Sequence, residues 1–305
     1  MPLLEALRAV TSFSPPPALP DCDPDLLADV LEAHGLAPLA SYQLEHTRLG
    51  AGAPSALRER LLGHYQGVAN DNVLKLVTLR GLLGDAADVP VVLLEAAAYV
   101  DWIYPHLAFR PVGDLRIAVR SGDGGRLATA VAPHFRVERT EHGGRTAVLS
   151  DGRLSVSMQE GLWPGGPEDA PLFERAVPRP AFGPRASRPS AEDALLAAVA
   201  DQAVLGLLAP LLTFVDVREL VRLGPDSTYV RERAGALGLS RALHGSMRLV
   251  AHFFPDVSAG AERLRPEISL AERVAVDGIV EVAGDPSRLR HLRGVDAVAR
   301  RIVAP

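Results

Sequence analysis

Apolar and polar positions change their spacing wherever one kind of predicted element gives way to another. Val89 and the run Val91–Leu94 are β-branched and apolar, which favours a short strand buried on both faces. Alanines and aromatic residues then recur at helical spacing as far as Tyr104, and Pro105 is expected to end that helix. After a loop containing proline and glycine, Asp114–Arg120 alternates in the manner of a second strand.

Alternation with a period of two returns further along the chain. Residues 121–125, SGDGG, form a turn that is expected to open a helix through about Pro133. Three strands are predicted after it: His134–Arg139, Arg145–Ser150 and Arg153–Gln159. The pairs Gly143-Gly144 and Asp151-Gly152 are hairpin signals between these strands.

The rest of the pattern is mostly helical. From Ser55 to Gly84 apolar residues recur at helical intervals, which predicts one long or kinked helix with Gly63 among its weak points. Ser190 with Asp193 three residues later is a capping signal, and helical patterns continue from there to about 284. The basic tail 286–305 carries a rough apolar stripe: Leu289, Leu292, Val295 and Ile302. We expect a terminal helix packed on the bundle rather than a helix that binds an anionic surface or a partner.

These patterns predict an α+β fold, in which a mixed sheet with flanking helices is followed by a helical C-terminal bundle. The predicted division is an N-terminal helical segment at 1–88, an α/β core at 89–160 and a C-terminal helical domain at 190–305. Between the last two, residues 161–189 are rich in proline and glycine, so they are interpreted as a linker rather than a core element.

Composition narrows the class of protein. The 305 residues are 48% hydrophobic and 23% charged, which is enough to bury the core of one large or two modest domains. The net charge of −5 argues against bulk nucleic-acid binding, and the single cysteine, Cys22, favours a reducing compartment. No apolar run reaches the ~18–20 residues of a membrane span, and the first ten residues do not resemble a signal peptide. We therefore expect a cytoplasmic protein without a nucleic-acid partner.

Most familiar catalytic patterns are missing from the sequence. There is no HExxH, P-loop, GxGxxG or GxSxG motif, and the nine histidines are scattered. His244 and His252 are eight residues apart in a helical region, where histidines bonded within a bundle are expected more often than metal ligands. Asp216 and Glu219 are expected to cap a helix or pair with Arg218 or Arg222, and we assign them no chemical role.

One stretch resembles a known family. LLEAAAYVDWIYP at 93–105 and RPVGDLRIAV at 110–119 are similar to the uncharacterised nucleotidyltransferase family of the DNA polymerase β-like superfamily. The matching positions are Tyr104, Pro105, Arg110, Pro111, Gly113 and Asp114. The resemblance implies a nucleotidyltransferase-like sheet and a reaction that uses two Mg²⁺ ions gripped by three carboxylates.

Three groups that this chemistry needs are replaced in this chain: the second carboxylate, the third carboxylate and the glycine that lets phosphates approach. Asp114 holds the first carboxylate position, but Arg116 holds the second and Ser157 the third. A guanidinium cannot bind a metal ion or lose its charge. Glu95 and Ala96 replace the family's lysine and glycine, so the glycine that lets phosphates approach is also missing. We therefore expect a relic site at Asp114, Arg116 and Ser157, with no bound metal and no cofactor, and cleft positions at Glu95, Ala96, Asp114 and Arg116.

The function expected from these departures is that of a degenerate nucleotidyltransferase that acts as a scaffold or regulatory subunit for a protein partner. One alternative is an active Mg²⁺-dependent enzyme that transfers a nucleoside monophosphate from an NTP, with Glu95, Asp101 or Glu160 as a substitute ligand. Another alternative is a metal-independent nucleotide or anion sensor, in which Arg116 supplies the positive charge.

The two charge changes at the cleft also suggest a direct contact. The family's lysine and second aspartate are here Glu95 and Arg116, which is the same charge pair reversed. We predict that these side chains form a structural salt bridge across adjacent strands. A partly buried pair left with one charge would cost about 3–5 kcal/mol.

Overall fold

The sheet is built around the apolar run that follows Pro90. The computed structural model of the chain describes residues 2–167, 169–287 and 295–304. All four residues of Val91–Leu94 are buried, as expected for a strand covered on both faces. This strand pairs antiparallel with Leu115–Val119, so that Leu94 lies opposite Arg116.

Seven strands form one mixed sheet among the described residues. In chain order they are β1 (Val91–Leu94), β2 (Leu115–Val119), β3 (Arg136–Glu141), β4 (Thr146–Ser150), β5 (Ser155–Gln159), β6 (Val177–Pro178) and β7 (Ala186–Arg188). Their order across the sheet is β3-β4-β5-β2-β1-β7-β6. The pairs β2–β5 and β1–β7 are parallel, and the other neighbours are antiparallel. The predicted hairpins at Gly143-Gly144 and Asp151-Gly152 are confirmed, since they join β3 to β4 and β4 to β5.

Helices flank the sheet and make up the C-terminal part. Before the sheet they are α1 (Pro2–Thr11), α2 (Pro24–Ala33), α3 (Ala37–His46), α4 (Ser55–Leu61) and α5 (His64–Asp85). Within the sheet region they are α6 (Glu95–Tyr99), α7 (Asp123–Val131) and α8 (Ala170–Glu174). The C-terminal helices are α9 (Ala191–Val204), α10 (Leu211–Arg222), α11 (Ser227–Ala236), α12 (Ser240–Phe253), α13 (Ser258–Leu264), α14 (Leu270–Ala283) and α15 (Val295–Val303). The predicted α+β fold with a mixed sheet and a helical C-terminal region is confirmed.

The helix predicted over 55–84 is interrupted near its start. Gly63 has a φ of 85°, and this left-handed conformation ends α4 and sets the beginning of α5. Glycine adopts it without the steric cost that a Cβ would bring. The kinked version of the prediction is therefore the correct one, and α5 continues unbroken through Gly67 and Gly81.

The helix predicted to run up to Tyr104 is five residues too long, because α6 ends at Tyr99. The following loop is held by Asn72 of α5, whose amide donates to the carbonyls of Leu107 and Arg110 at 2.7 and 2.9 Å. The Asn72 carbonyl oxygen also accepts from the backbone N–H of Val112 at 2.9 Å. These tertiary hydrogen bonds satisfy backbone groups of the loop beyond Pro105. Residues 100–103 form turns instead of further helix, and the N–H groups of Trp102 and Ile103 both donate to the carbonyl of Tyr99.

The interpretation of 161–189 as a linker rather than a core element is wrong. Ala186–Arg188 forms β7, which pairs with the central strand β1 and places Val91 opposite Ala186. Leu172 and Phe182 of the same segment are buried. Strands of two or three residues are too short for alternation to show in the sequence, and prolines are tolerated here because β6 lies at the edge of the sheet. The domain boundaries themselves stay a prediction.

The C-terminal helices pack around α12, which contacts α9, α10, α11, α13 and α14. Ser190 caps α9, as predicted, by accepting from the backbone N–H of Asp193 at 3.2 Å. His244 bonds to the carbonyl of Pro266, as expected of a bundle histidine. The N-terminal segment also reaches this region, because Arg8 donates to the carbonyl of Phe253 at 2.8 Å.

The end of the chain packs as predicted where the structure describes it. Ala299 and Val303 of α15 are buried, and the helix contacts α9, α12 and α14. The predicted stripe positions Leu289 and Leu292 and the side chain of Val295 lie outside the described residues. None of the described helices combines the length and apolar character that crossing a membrane requires.

Candidate functional site

Arg116 of β2 is the centre of a charged cluster at the edge where β1 passes into α6. Its guanidinium donates to the carboxylate of Glu95, and the predicted salt bridge is therefore confirmed. The same Nη1 donates to Oδ1 of Asp201 on α9 at 2.9 Å. About a quarter of the Arg116 side chain remains exposed (25%), so the cluster is only partly screened by water. Three separate elements thus meet through one arginine.

Glu95 occupies its place with an unusual backbone conformation. Its φ of 48° lies in the left-handed region, which a non-glycine residue adopts only at a cost of order 1–3 kcal/mol. The turn that this conformation makes directly after β1 directs the carboxylate towards Arg116. The neighbouring Ala96 is buried in the core and lies outside the cavity wall, so it is not the open cleft position that the sequence predicted.

Strand register relates two of the three predicted relic positions. Arg116 and Ser157 are direct partners on the parallel strands β2 and β5, so their side chains leave the sheet on the same face. Asp114 is exposed and precedes the paired residues of β2, and its charge adds to those of Glu95 and Asp201 in raising the pKa of Arg116. The relic site at Asp114, Arg116 and Ser157 stays a prediction.

A second charged cluster lies beside the first. Asp216 of α10 accepts from Tyr104 Oη at 2.6 Å and from Arg110 Nη2 at 2.9 Å. Both Arg110 and Asp216 are largely buried, with 12% and 4% of their side chains exposed. Tyr104 and Arg110 are two of the positions that match the family pattern. Their role in this chain is therefore to tie the loop after α6 to α10.

Burial shifts the proton affinities of this second cluster. Desolvation raises the pKa of Tyr104 well above its usual value, and the nearby Asp216 charge raises it further. Desolvation also raises the pKa of Asp216, while the charge of Arg110 opposes that rise. Burial alone would lower the pKa of Arg110, but the attraction of Asp216 outweighs it. Tyr104 thus stays a neutral donor at physiological pH.

A cavity of about 500 Å³ lies between the two clusters. Its charged lining consists of three carboxyl groups, from Glu95, Asp201 and Asp216, and two guanidinium groups, from Arg110 and Arg116. The remaining wall is largely apolar and includes Ala198, Val204, Leu205 and Pro210. Cavities with a few convergent polar groups in an apolar wall are typical ligand sites.

Glu95 and Asp201 compete for the one guanidinium between them. Desolvation raises the pKa of Glu95 well above its usual value, and repulsion by Asp201 adds to the rise. Attraction to Arg116 acts in the opposite direction without cancelling it. A raised carboxyl pKa inside a cavity often marks a functional group, although structural ion-pair networks produce the same shift.

The side chains present do not fit the pair of Mg²⁺ ions that the family chemistry implies. Arg116 lies where the second carboxylate would be, and its guanidinium already bonds to Glu95 and Asp201. Asp114 is exposed outside the cavity wall, and Ser157 offers only a hydroxyl. Among the described residues no group of three or more histidine, cysteine or acidic side chains is placed to hold a metal ion. The metal-free expectation stays a prediction.

The three residues predicted as substitute metal ligands, Glu95, Asp101 and Glu160, do not lie together at the cavity. Only Glu95 faces the cavity, whereas Asp101 pairs with Arg179 and Glu160 lies outside the cavity wall. Asp201 was not anticipated, although a lone acid inside the apolar helix ALLAAVADQAVLGLL is a signal, because a buried charge needs a partner. Asp216, which was given no chemical role, also borders the cavity and pairs with Arg110 rather than with its own helix.

Comparison with known proteins adds one match. A family model described as an uncharacterised nucleotidyltransferase matches residues 20–255 of the chain. That range contains the whole sheet together with α9 and α10, and hence every residue that lines the cavity. No curated protein and no solved structure matches the chain.

Proposed function

Since the chain belongs to the uncharacterised nucleotidyltransferase family, we propose that it is a degenerate member that binds another protein instead of transferring a nucleotide. The observation that carries this proposal is the position of Arg116. Its guanidinium lies between the carboxyl groups of Glu95 and Asp201, at a position where the family chemistry needs a metal-binding carboxylate. The positive charge of the cluster is thus supplied by a side chain of the protein rather than by a bound metal ion.

The energetics favour keeping this arrangement. A metal ion at this position would have to displace Arg116 from two charge-assisted hydrogen bonds, each of which is stronger than a neutral one. Displacement would also leave a partly buried guanidinium without its partners, which is costly. The arginine therefore supplies the charge balance of the cavity, and the cluster serves the stability of the fold.

The sensor alternative is less well supported by the charges. Three carboxyl groups and two guanidinium groups line the cavity, and both guanidinium groups are already paired with acids. A nucleotide triphosphate would add more negative charge, and neither of the two guanidinium groups is left unpaired to receive it. A partner that offers hydrogen-bond donors and apolar groups suits this lining better than a phosphate does.

Exposed apolar residues at the cavity support a protein partner. Val204 and Leu205 line the cavity and are 48% and 36% exposed, although large apolar side chains are usually buried. Val204 is the last residue of α9, which also carries Asp201, and Leu205 follows it directly. A segment of another protein that covers these residues would bury apolar area and reach the charged groups at the same time.

An active Mg²⁺-dependent nucleotidyltransferase is the second candidate, and one observation favours it. Both Glu95 and Asp201 face the cavity, so two carboxylates remain available if Arg116 leaves the cluster. Such an enzyme would transfer a nucleoside monophosphate from an NTP. This activity would require Arg116 to leave the cluster when Mg²⁺ and the nucleotide bind together.

Calorimetry with ATP, with and without Mg²⁺, separates these functions. We expect no heat of binding in either condition. Binding that requires Mg²⁺ would overturn the proposal in favour of the enzyme, and binding without Mg²⁺ would overturn it in favour of the sensor. The Arg116→Gln variant is a matched control, since sensor binding depends on that guanidinium and should be lost with it.

Partner binding is tested by capture on immobilised protein with two exposed-leucine variants. Leu205→Glu changes the cavity rim, and Leu223→Glu changes an exposed leucine outside the cavity wall. We expect a partner protein to bind to the immobilised wild type and to the Leu223→Glu variant, and we expect this binding to be lost in the Leu205→Glu variant. Equal capture by both variants, or capture by neither the wild type nor the variants, would contradict the proposal.

A further inference from the structure

A second cavity, of about 510 Å³, lies where α1 and residues 12–20 meet α10 and the end of α12. Its charged lining includes three arginines: Arg8 of α1, and Arg218 and Arg222 of α10. The apolar part of its wall consists of Ala9, Pro16, Pro20, Phe254 and Pro255. None of the described residues borders both this cavity and the one beside Arg116, so the two are separate candidate sites.

Arg218 is almost entirely buried at this cavity, with only 2% of its side chain exposed. Its Nε donates to Oε1 of Glu219 at 2.6 Å, and its Nη2 donates to the carbonyl of Thr11 at 2.9 Å. Its Nη1 donates to no acceptor among the residues that the structure describes. A charged donor that is buried without an acceptor is costly, so a ligand that accepts from this nitrogen would be favoured.

Two aromatic rings hold this guanidinium group without neutralising it. The ring centres of Phe13 and Phe254 lie 5.1 and 4.7 Å from the guanidinium carbon of Arg218. Contacts of this kind orient the planar group and leave its positive charge in place. Desolvation lowers the pKa of Arg218, and although attraction to Glu219 opposes this change, repulsion by Arg222 adds to it. The charge of Arg218 is therefore not fully balanced by its neighbours in the chain.

Arg8 adds a second guanidinium group without an acidic partner. Its Nε and Nη2 donate to the backbone carbonyls of Phe253 and His252 at 2.8 and 2.6 Å. In the described part of the chain no acidic side chain forms an ion pair with Arg8. Thr11, whose carbonyl accepts from Arg218, follows Arg8 by three residues on α1, so both guanidinium groups lie at the same end of that helix.

The ion pairs around the cavity leave one positive charge over. Arg222 pairs with Glu219 and with Asp256. Glu219 pairs with Arg218 as well. The three guanidinium groups are thus opposed by two carboxylates. Glu5 also borders the cavity, but its side chain is exposed and pairs with none of the described residues, so water screens its charge.

We propose that this cavity binds a small organic carboxylate with an apolar body. The carboxylate accepts from Nη1 of Arg218 and from the guanidinium group of Arg8, and the apolar body lies against Pro16, Pro20 and Phe254. Guanidinium donors match the geometry of a carboxylate, and charge-assisted hydrogen bonds are about twice as strong as neutral ones. A phosphate monoester carries about 1.5 to 2 negative charges at pH 7, which is more than the charge left over here. The volume and the mixed lining are those of a small-molecule site.

Isothermal titration of the full chain with 3-phenylpropionate tests this proposal, because the probe joins a carboxylate to an apolar ring. Its neutral counterpart of similar shape is 3-phenylpropanamide. We expect the carboxylate to bind at least about tenfold more tightly than the amide, and more tightly than inorganic phosphate. No binding of the carboxylate, equal binding of the amide, or tighter binding of phosphate would overturn the proposal.

Arg8→Gln locates the binding in this cavity. Arg8 is half-buried and has no acidic partner, so its loss leaves no carboxylate uncompensated, and circular dichroism checks that the variant is folded. We expect this variant to bind 3-phenylpropionate at least about tenfold more weakly than the wild type. Arg80→Gln is the matched control, because Arg80 is exposed on α5 outside the cavity wall, and its affinity should equal that of the wild type. A folded Arg8→Gln variant with wild-type affinity, or an equal loss in both variants, would overturn the proposal.

Discussion

Arg116 and Ser157 are direct neighbours on the parallel strands β2 and β5, and their side chains lie on the same face of the sheet. The family chemistry requires a carboxylate at both positions. In this chain one of them is a cation that binds Glu95 and Asp201, and the other is a half-buried hydroxyl. The register therefore brings onto one face the two positions at which the family resemblance implies carboxylates.

The Glu95–Arg116 pair predicts a coupled pair of substitutions. Glu95→Lys brings two cations together, and Arg116→Asp brings together the carboxyl groups of Glu95 and Asp201 and a third acid. Each should lower the free energy of unfolding by about 2–4 kcal/mol, which is reduced from the fully buried value because part of each side chain is exposed. Urea unfolding of both single variants and the double variant measures the coupling.

The double variant should recover part of this loss, but not all of it. Its reversed pair restores one attraction, whereas the acid introduced at position 116 would now face Asp201. Adding Asp201→Asn should remove that repulsion and recover more of the stability. Strictly additive losses in the single and double variants would contradict a direct pair.

The raised pKa of Glu95 predicts a specific pH dependence. The folded state holds this proton more tightly than the unfolded state, whose carboxyl pKa is about 4.3. The resulting stability is fully present below about pH 4.3 and is lost as the pH rises through the folded pKa. The free energy of unfolding of Glu95→Gln should therefore rise relative to that of the wild type as the pH increases.

Urea unfolding of the wild type and Glu95→Gln between about pH 4.5 and pH 8 measures this difference. A change of one unit in the pKa of Glu95 corresponds to about 1.4 kcal/mol in the comparison. A difference that stays constant over this range would contradict the raised pKa of Glu95, because a carboxyl group with a lowered pKa changes the stability only below about pH 4.3.

Loss of the Arg110–Asp216 ion pair should lower the free energy of unfolding more than loss of the hydrogen bond from the Tyr104 hydroxyl to Asp216. Asp216→Asn leaves the buried guanidinium of Arg110 without a counter-charge and should cost about 3–5 kcal/mol. Tyr104→Phe removes a single hydrogen bond to a charged group and should cost about 1.5–3 kcal/mol. Asp256→Asn is the control, because its pair with Arg222 is exposed and should contribute less than about 1 kcal/mol. Thermal unfolding that ranks these variants differently would contradict the structural role of Asp216.

The part of the site that the sequence could predict is the contact between Glu95 and Arg116. Their charges are reversed relative to the family pattern, and this reversal was enough to predict the pair, although Glu95 lies just beyond β1 and strand alternation alone would have placed it on the other face. Asp201 could not be placed in this way, because it is 85 residues from Arg116 and no spacing rule links a strand to a later helix. A lone charge among apolar helical residues indicates that it needs a partner, but it does not say which one.

The same limit explains the misinterpreted parts of the fold. The loop after α6 was predicted as helix because its local pattern is helical, whereas Asn72 and Asp216 act on it from distant parts of the chain. β7 was missed because its three residues pair with β1 through backbone groups, which leave no trace in side-chain pattern. The long helices α5 and α12 were predicted correctly in kind.

If the register of β2 and β5 is that of a metal site, carboxylates returned to it should bind Mg²⁺. The variant Glu95→Lys with Arg116→Asp and Ser157→Asp restores the family's residue types at these positions and joins two carboxylates to Asp114. Partner residues on adjacent strands lie about 4.8 Å apart, so their oxygens can share one hard cation. Calorimetry should show Mg²⁺ binding at least about tenfold tighter than that of the wild type. The same variant with Ser157→Asn instead of Ser157→Asp keeps the shape without the charge and should lose the gain. The prediction is contradicted if the triple variant folds but binds no more Mg²⁺ than this control. The strand register would then be insufficient to bring three carboxylates onto one ion, and Asp114, Arg116 and Ser157 would not occupy the positions assigned to them.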